Sequence, residues 1–507
     1  MPRMAGGRVS GFVIGLGLLA LIVAAPALVI ARLHGFDGLY GQDSFAYAAY
    51  GLGPLRDALL HGQAPPDFPL PPGYPLLVAI ASLALGPSDV TAQAVSLAAG
   101  IAMPVFVALL AREILPRRDV RVALLAGLLA AVAGQLWQSS LVSMSDTSAA
   151  AAATLGAVAT CRFHRNGGRA SLVVASAALA LAVETRLIYG AVAIVFASLA
   201  FVRLRADPHQ DSRRTIATAG LAAIAALIVL APALVTIGVD LAAGRPMPFA
   251  AELGVATFDP VTPFRSTFET ADGHLAYGWP MGAWYLAQAA QPYWLAAIAL
   301  AVPAGLVIVA RRREHSTPAM ATLMAWPALV LLILVYYPYQ NPRFFLAMLP
   351  PLAILAAAGL DAASQRLSRT RPTVRAAALA VFALAIGADA GLAWRYTDSF
   401  VARQTADLRA IRTLEAEIPP GAAIASIGAT PVLRHDGREV TELYNLSADE
   451  ARELARRGRV YVLFQAAAMA GQWAGTTTGE AYATIAAAPG FRVVDQAGSW
   501  TLSAGGT

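Results

Sequence analysis

The sequence from Asp37 to Pro75, DGLYGQDSFAYAAYGLGPLRDALLHGQAPPDFPLPPGYP, follows directly on the first apolar stretch of the chain. It holds Asp43 among glycine and aromatic residues and ends in a proline-dense segment, Pro71 to Pro75. In a chain that is otherwise so apolar, a long polar and turn-rich insertion indicates a site. We therefore predict that this opening segment forms the first half of an active site at a membrane surface.

The composition of the whole chain supports that setting. Of 507 residues, 57% are hydrophobic and only 13% are charged, which predicts an integral membrane protein. The formal net charge is +6, but the basic residues are scattered between apolar runs and form no single patch, which argues against nucleic acid as a partner. Cys161 is the only cysteine, which excludes an intrachain disulfide and a cysteine-based metal cluster.

Apolar runs long enough to cross a bilayer recur along the chain. A membrane helix needs roughly 20 apolar residues. Gly11 to Ala31 is the first such run, and we prefer an uncleaved span to a signal peptide because no clear cleavage site follows it. Tyr74 to Leu85 is too short to cross and is predicted to lie at the interface.

The pattern predicts a polytopic α-helical membrane protein with about 11 transmembrane helices. The spans after the first are Gln93 to Leu110, Val122 to Trp137, Leu141 to Thr160, Ser171 to Glu184, Leu187 to Val202, Ile216 to Val239, Tyr293 to Ala310, Pro318 to Tyr336, Phe344 to Leu360 and Ala376 to Trp394.

The arginines predict how these helices are oriented. They are concentrated in alternate connections, at 3–8, 112–121, 162–169, 203–214, 311–313 and 366–375. Basic connections remain in the cytoplasm, so the amino terminus is predicted to be cytoplasmic. The loops 32–92 and 240–292 and the carboxyl-terminal part then face outward. In a bacterium this places the protein in the inner membrane with these parts in the periplasm.

The composition changes near residue 396, which divides the chain into a transmembrane part, 1–395, and a small α/β domain, 396–507. In the second part, Ser447 to Arg457 is predicted to be a helix that Ser447 caps, with Glu450 three residues later. The other predicted elements are a helix over Gln404 to Glu417 and strands over Ala422 to Ile427, Val460 to Phe464, Phe491 to Asp495 and Trp500 to Ser503. The sequence of this domain predicts that it packs over the membrane part or gates it.

Charged residues at membrane depth are costly, so they are functional candidates. Asp43, Asp146, Glu184, Arg186 and Arg343 all lie at predicted outer ends of spans. Each has a plainer interpretation. Asp146 could cap a helix, Glu184 could pair with Arg186, Arg343 could reach lipid headgroups, and Asp43 could be one more polar loop residue. Taken together, carboxylates and guanidiniums on one membrane face suit a reaction between a phosphate-bearing lipid and a polar acceptor.

The order of these features resembles a known superfamily. The features are Asp43 soon after the first span, Pro71-Pro72-Gly73-Tyr74-Pro75, Ser145-Asp146-Thr147, Thr185-Arg186, and Tyr339-Gln340-Asn341-Pro342-Arg343-Phe344 leading into Leu349-Pro350-Pro351. This order and sidedness resemble the GT-C glycosyltransferases, more closely the superfamily of protein O-mannosyltransferases and lipid A aminoarabinose transferases. The resemblance covers about residues 10 to 395, and the tail is similar to the periplasmic domains of bacterial members.

The resemblance implies inverting transfer of a sugar from a polyprenyl-phosphate donor to an envelope acceptor, which is a lipid, a glycan or a protein. Asp43 matches the acid that would act as general base on the acceptor hydroxyl. Arg343, with Arg186, would stabilise the leaving lipid phosphate, and Asp146 would orient the acceptor or hold an arginine.

The same motifs mark Tyr74, Tyr339 and Glu184 as substrate-binding candidates. One feature departs from the family pattern. Members often carry two adjacent acids in the first loop, whereas Asp43 stands between Gln42 and Ser44. We therefore predict no metal ligands and no cofactor, and the metal requirement stays open.

Two other classes of function compete with this interpretation. Transporters and flippases typically show internal repeats and broken helices with charges at the bilayer midplane, and the sequence shows neither a repeat nor a charged midplane. A non-catalytic envelope assembly protein would use the outer charges only to stabilise its structure. The pattern does not identify the sugar, the acceptor or the length of the lipid.

Overall fold

The computed structural model describes residues 5–63, 65–115, 119–205, 212–244, 259–291, 293–294, 299, 301–311, 317–369, 371–444, 446–456 and 458–506. Part of the predicted span Tyr293 to Ala310 lies outside these ranges. So do Arg3, Arg117, Arg118, Arg312 and Arg313 and residues 245–258 of the predicted outer loop.

The membrane part is built from helices. The first eleven are α1 Ala5–His34, α2 Gly41–Tyr50, α3 Arg56–His61, α4 Gly73–Leu85, α5 Asp89–Ile114, α6 Val120–Ala131, α7 Gly134–Leu141, α8 Ser145–Asn166, α9 Arg169–Thr185, α10 Tyr189–Arg205 and α11 Ser212–Ala242. A short hairpin follows, with strands β1 Thr267–Thr270 and β2 Gly273–Ala276. The next helices are α12 Met281–Ala287, α13 Ala301–Arg311, α14 Pro318–Leu334, α15 Leu349–Leu367 and α16 Pro372–Ala416.

Among the described residues, five helical segments are long and apolar enough to cross a membrane. These segments are Gly11–His34, Asp89–Ile114, Thr215–Ala242, Pro342–Leu367 and Pro372–Ala416. A sixth results if α6 and α7, which meet at 59°, are counted as one broken span. Several apolar helices are thus present as the sequence predicts, while the total of about eleven spans stays a prediction.

The break between α6 and α7 departs from the single predicted span over Val122 to Trp137. The backbone N–H of Gln135 donates to Tyr293 O at 2.8 Å instead of continuing the hydrogen bonds of α6. Close packing also fixes α7 in place, because a Cβ added at Gly134 would lie 2.9 Å from Ala393 Cα. The predicted span Leu141 to Thr160 accordingly begins later, at Ser145, the first residue of α8.

The opening segment folds into α2, a π-helical turn over Gly51–Leu55, α3 and α4. The proline-dense end of the segment packs tightly against the end of α9. A Cβ added at Gly73 would lie 2.6 Å from the backbone of Glu184 and Thr185, so only glycine permits this approach. The contact joins the proline-dense motif Pro71 to Pro75 to the Thr185-Arg186 motif.

The carboxyl-terminal residues form the mixed α/β structure that the sequence predicts. A five-stranded sheet has the order β4-β3-β5-β7-β6, with β3 parallel to β4 and β5, and β7 antiparallel to β5 and β6. The strands are β3 Ala423–Ser426, β4 Thr441–Glu442, β5 Val460–Gln465, β6 Arg492–Ala497 and β7 Trp500–Gly505. The helices are α17 Thr430–His435, α18 Ala448–Arg456, α19 Ala466–Ala470 and α20 Thr477–Ala486.

The predicted cap of α18 is confirmed. Glu450 N donates to Ser447 Oγ at 3.2 Å, and Ser447 N donates to Glu450 Oε2 at 2.9 Å. The short strand β4 and the helices α17, α19 and α20 are absent from the sequence prediction. The division at residue 396 stays a prediction, because α16 runs without interruption through that position and joins the predicted span to the predicted helix beyond it.

The α/β domain packs directly on the opening segment. The rings of Phe45 and His435 meet edge to face with 5.5 Å between their centroids. His435 Nε2 lies 3.2 Å from Asp89 Oδ2 at the start of α5. Apolar residues of α2, α16 and the sheet also share one buried cluster. The opening segment is therefore held between the membrane helices and the domain, which fixes the position of α2 and of Asp43.

Candidate active site

Asp43 lies in the first turn of α2, where the backbone turns at Gly41 with φ of 63°. Arg343 Nη2 donates to Asp43 Oδ2 at 2.9 Å. Within the described part of the chain, Asp43 Oδ1 makes no hydrogen bond, and the side chain is 39% exposed. One carboxylate oxygen is thus held by an ion pair while the other remains available to a ligand.

Arg343 lies at the start of a 3₁₀ segment, Pro342–Met348, which leads into α15. Asn341 caps this segment, because its Oδ1 accepts a hydrogen bond from Arg343 N at 3.1 Å. The guanidinium also donates from Nη1 to Met144 Sδ at 2.7 Å. Its Nε is buried and has no partner among the described residues. Since buried N–H groups are nearly always paired, this donor is available to a ligand.

Asp146 lies in the first turn of α8 and forms an ion pair with Arg186, the residue that ends α9. The carboxylate is almost fully buried, at 4% exposure. The Arg186 guanidinium lies 4.7 Å from the centre of the Phe344 ring, and that of Arg343 lies 5.2 Å from it. Burial of several charges is tolerated because each is paired or faces an aromatic ring.

Two cavities meet at this cluster, and Asp146 and Arg343 line both of them. The first, of about 280 Å³, has mainly apolar walls and is called the apolar cavity here. Its other lining residues are Arg186, Leu187, Ile188, Tyr189, Ile333, Leu334, Tyr337, Phe344 and Ala347. The second, of about 250 Å³, is called the polar cavity. Its other lining residues are Tyr40, Gln135, Gln138, Ser139, Val142, Met144, Asn341, Pro342, Tyr396, Phe400, Arg403 and Gln404.

A third cavity, of about 240 Å³, lies between the opening segment, α16 and the α/β domain. It adjoins the polar cavity, because Tyr40 and Gln404 line both. Its other lining residues are Leu39, Gly41, Phe45, Asp407, Leu408, Ile411, Gly428, Pro431, Val432, Gln465 and Trp500. The cavities therefore extend from Arg343 towards the domain.

The structure thus brings together four of the candidates, Asp43, Asp146, Arg186 and Arg343. Glu184 is placed differently. Its Oε1 accepts a hydrogen bond from Ala233 N at 3.0 Å, in α11 just after the helix-interior Pro232, and it lines neither of the two cavities that meet at Arg343. Its carboxylate thus serves a contact between α9 and α11.

The two tyrosine candidates also lie outside the apolar and polar cavities. Tyr74 is fully buried, donates to Ala92 O at 2.8 Å and hydrogen-bonds with Ser96 Oγ at 2.8 Å, which fixes α4 against α5. Tyr339 donates to Asp272 Oδ2 at 2.5 Å and so ties its loop to the β1–β2 turn. Burial, followed by this carboxylate, raises the pKa of the Tyr339 hydroxyl. Their assignment to substrate binding stays a prediction.

Gln135, Gln138 and Ser139 of α7 form a polar wall of the polar cavity that was not predicted from the sequence. The signal was available, because three polar side chains within five residues are unusual at the end of a predicted span. The described residues contain no group of three or more histidine, cysteine, aspartate or glutamate side chains placed to hold a metal ion.

The helical architecture is similar to the GT-C fold, which is found in membrane glycosyltransferases. ArnT, the lipid A aminoarabinose transferase, from Cupriavidus metallidurans bound to undecaprenyl phosphate matches with a TM-score of 0.58 and 14% identity, covering 99% of this chain and 98% of that one. The archaeal oligosaccharyltransferase AglB from Archaeoglobus fulgidus, in complex with an inhibitory peptide and a dolichol-phosphate, matches with a TM-score of 0.60 and 14% identity, covering 98% of this chain and 74% of that one.

No protein-family model and no curated protein matches the sequence. At this low identity the two structures establish the fold. The resemblance to the GT-C glycosyltransferases is thereby confirmed as a likeness of fold, on a helical membrane protein.

Proposed function

We propose that the protein is a glycosyltransferase of the bacterial inner membrane. It transfers a sugar from a polyprenyl-phosphate donor to an envelope lipid, glycan or protein on the periplasmic face, with inversion. One observation carries this proposal. Arg343 stands between an apolar and a polar cavity, pairs with Asp43, and retains a buried N–H donor that has no partner among the described residues.

The apolar cavity suits the start of the polyprenyl chain, since Leu187, Ile188 and Leu334 line it. Arg343 and Arg186 at its inner end would bind the phosphate through charge-assisted hydrogen bonds, which guanidinium groups make well to phosphate oxygens. The bound lipids of the two structural neighbours, undecaprenyl phosphate and dolichol-phosphate, support a donor of this class.

The reaction is a single displacement. The acceptor hydroxyl gives its proton to Asp43 Oδ1 while its oxygen bonds to C1 of the sugar. The bond from C1 to the phosphate oxygen breaks, and its electron pair leaves with the polyprenyl phosphate. Attack opposite the leaving group inverts the configuration at C1. Asp43 supplies general base catalysis, and the guanidiniums stabilise the charge that develops on the phosphate.

The third cavity is where we place the rest of the acceptor. It adjoins the polar cavity through Tyr40 and Gln404, and the α/β domain supplies Gln465 and Trp500 to its wall. An acceptor bound there would extend along the opening segment towards Asp43. This gives the domain a role in acceptor choice as well as in packing.

The proposal is tested with purified protein in detergent. Undecaprenyl-phosphate sugars of several kinds are supplied together with extracted envelope acceptors, and loss of donor sugar is followed for the wild type and for Asp43→Asn. Loss of sugar with the wild type alone supports the enzyme and the role of Asp43. Inertness of the wild type across the whole panel would contradict the proposal, and equal loss in both proteins would remove Asp43 from the mechanism.

A further inference from the structure

Two glutamines of α7 face the polar cavity with unused hydrogen-bonding capacity. Gln135 is 2% exposed, and its Nε2 donates to Ser139 Oγ at 3.0 Å. Its Oε1 is buried without a partner in the described part of the chain, and the same is true of Gln138 Oε1. Both side chains line the polar cavity. Two neighbouring buried acceptors with no donor carry a desolvation cost, which a ligand that brings N–H or O–H groups would remove.

The backbone of α7 is held in place by contacts with other parts of the chain. Gln135 N donates to Tyr293 O at 2.8 Å, and Thr397 Oγ1 donates to Gly134 O at 3.4 Å. The Tyr293 ring in turn stacks on that of Tyr396 with 4.7 Å between centroids. The break between α6 and α7 thereby presents the two amides to the cavity as a preorganised surface.

The rest of the cavity suits a sugar ring. Tyr40, Tyr396 and Phe400 also line the cavity and supply aromatic rings to it. The cavity has a volume of about 250 Å³, which is enough for one sugar ring.

We propose that Gln135 and Gln138 accept hydrogen bonds from hydroxyl groups of the sugar that is transferred. This inference rests on the proposed function, because it takes the phosphate to be bound by Arg343. A sugar bonded to that phosphate, with its lipid in the apolar cavity, must lie on the other side of Arg343, which is the polar cavity. Gln135 and Gln138 are thus specificity-determining residues.

Binding measurements test the inference independently of turnover. The probes are undecaprenyl phosphate and its monosaccharide esters with several hexoses and pentoses. Affinities are taken from the ligand-dependent rise in melting temperature of the full chain in detergent. The variants are Gln138→Leu, which keeps the volume and removes the amide, and Gln365→Leu as a matched control on the exposed surface of α15.

In the wild type, at least one monosaccharide ester is expected to bind about tenfold more tightly than undecaprenyl phosphate, as one or two net hydrogen bonds would allow. Gln138→Leu should lose that gain and still bind undecaprenyl phosphate like the wild type, while Gln365→Leu should retain it. A gain that persists in Gln138→Leu, or no gain from any sugar, overturns this inference and leaves the lipid-phosphate donor standing. Absence of undecaprenyl phosphate binding in the wild type would overturn both.

Discussion

The Arg343 guanidinium donates to the Asp43 carboxylate at 2.9 Å and so joins residues 300 positions apart in the sequence. The first belongs to the segment that begins α15, and the second to the opening segment. The contact couples the proposed general base, Asp43, to the proposed phosphate ligand, Arg343. A substitution of Asp43 that removes its negative charge but keeps a hydrogen-bond acceptor should therefore impair catalysis and leave the structure intact.

Asp43→Asn is expected to lower the rate of sugar transfer by about a hundredfold to ten-thousandfold, the usual loss when a general base is removed. The amide oxygen can still accept from Arg343 Nη2, so the fold and donor binding should persist. The measurement is turnover of a lipid-linked sugar, with the melting temperature recorded in parallel. Asp57→Asn is the matched control, because Asp57 is an exposed acid of the same segment, in α3. Equal turnover in Asp43→Asn and Asp57→Asn would contradict the prediction.

Arg343→Lys should weaken binding of undecaprenyl phosphate although it keeps the positive charge. The two Nη atoms of Arg343 donate to Asp43 Oδ2 and Met144 Sδ, and its Nε has no partner among the described residues, so it can donate to a ligand. Lysine has a single ammonium group and cannot make all of these contacts at once. We expect a loss of about tenfold or more in affinity, which corresponds to roughly 1.5 to 3 kcal/mol for a hydrogen bond to a charged group. Thermal shift titration measures it. Arg366→Lys, at the exposed far end of α15, should bind like the wild type, and comparable affinities in all three proteins would exclude Arg343 as the phosphate ligand.

The sequence could predict which charged residues form this site, but it could not predict how they pair. Asp43, Asp146, Arg186 and Arg343 stand out because charge is costly at membrane depth, and the positive-inside pattern places all four on one face. Their convergence could therefore be predicted. Their pairing could not, because which acid meets which arginine depends on packing between helices far apart in the sequence. The sequence also allowed a Glu184–Arg186 ion pair, but in the structure Arg186 pairs with Asp146.

The polar wall of α7 was missed for another physical reason. Hydropathy averages over a window, so the polar Gln135 is absorbed into the predicted span Val122 to Trp137, while Gln138 and Ser139 fall between that span and the next. The helix break that exposes them is caused by tertiary contacts of Gly134 and Gln135 with residues 293 and 393. Four strands of the α/β domain, by contrast, were predicted nearly to their ends, because local turn residues such as Gly498, at φ of 58°, bound them. The two-residue strand β4 was not predicted.

Gly73→Ala should destabilise the contact between the opening segment and α9. The added Cβ would lie 2.6 Å from backbone atoms of Glu184 and Thr185, which cannot move aside as a flexible side chain could. Overpacking of this kind typically costs about 1 to 3 kcal/mol. The check is the melting temperature in detergent. Gly53→Ala is the control, since a Cβ there has nothing within 4 Å. If both variants have the melting temperature of the wild type, the close approach of Gly73 to α9 does not contribute to stability.

Gln465→Ala tests whether the third cavity receives the acceptor. Gln465 lines that cavity from the end of β5, and its Nε2 donates to Ser499 Oγ at 3.2 Å. A lost hydrogen bond to the acceptor should raise the acceptor KM by roughly two- to tenfold. The donor KM should stay unchanged, because Gln465 lines neither of the cavities that Arg343 lines. Gln496→Ala, on the exposed strand β6 of the same domain, should change neither constant. Steady-state kinetics with each substrate varied in turn separate the outcomes. A rise in the donor KM alone would indicate that the third cavity binds the donor. An unchanged acceptor KM would contradict a role of the α/β domain in acceptor binding.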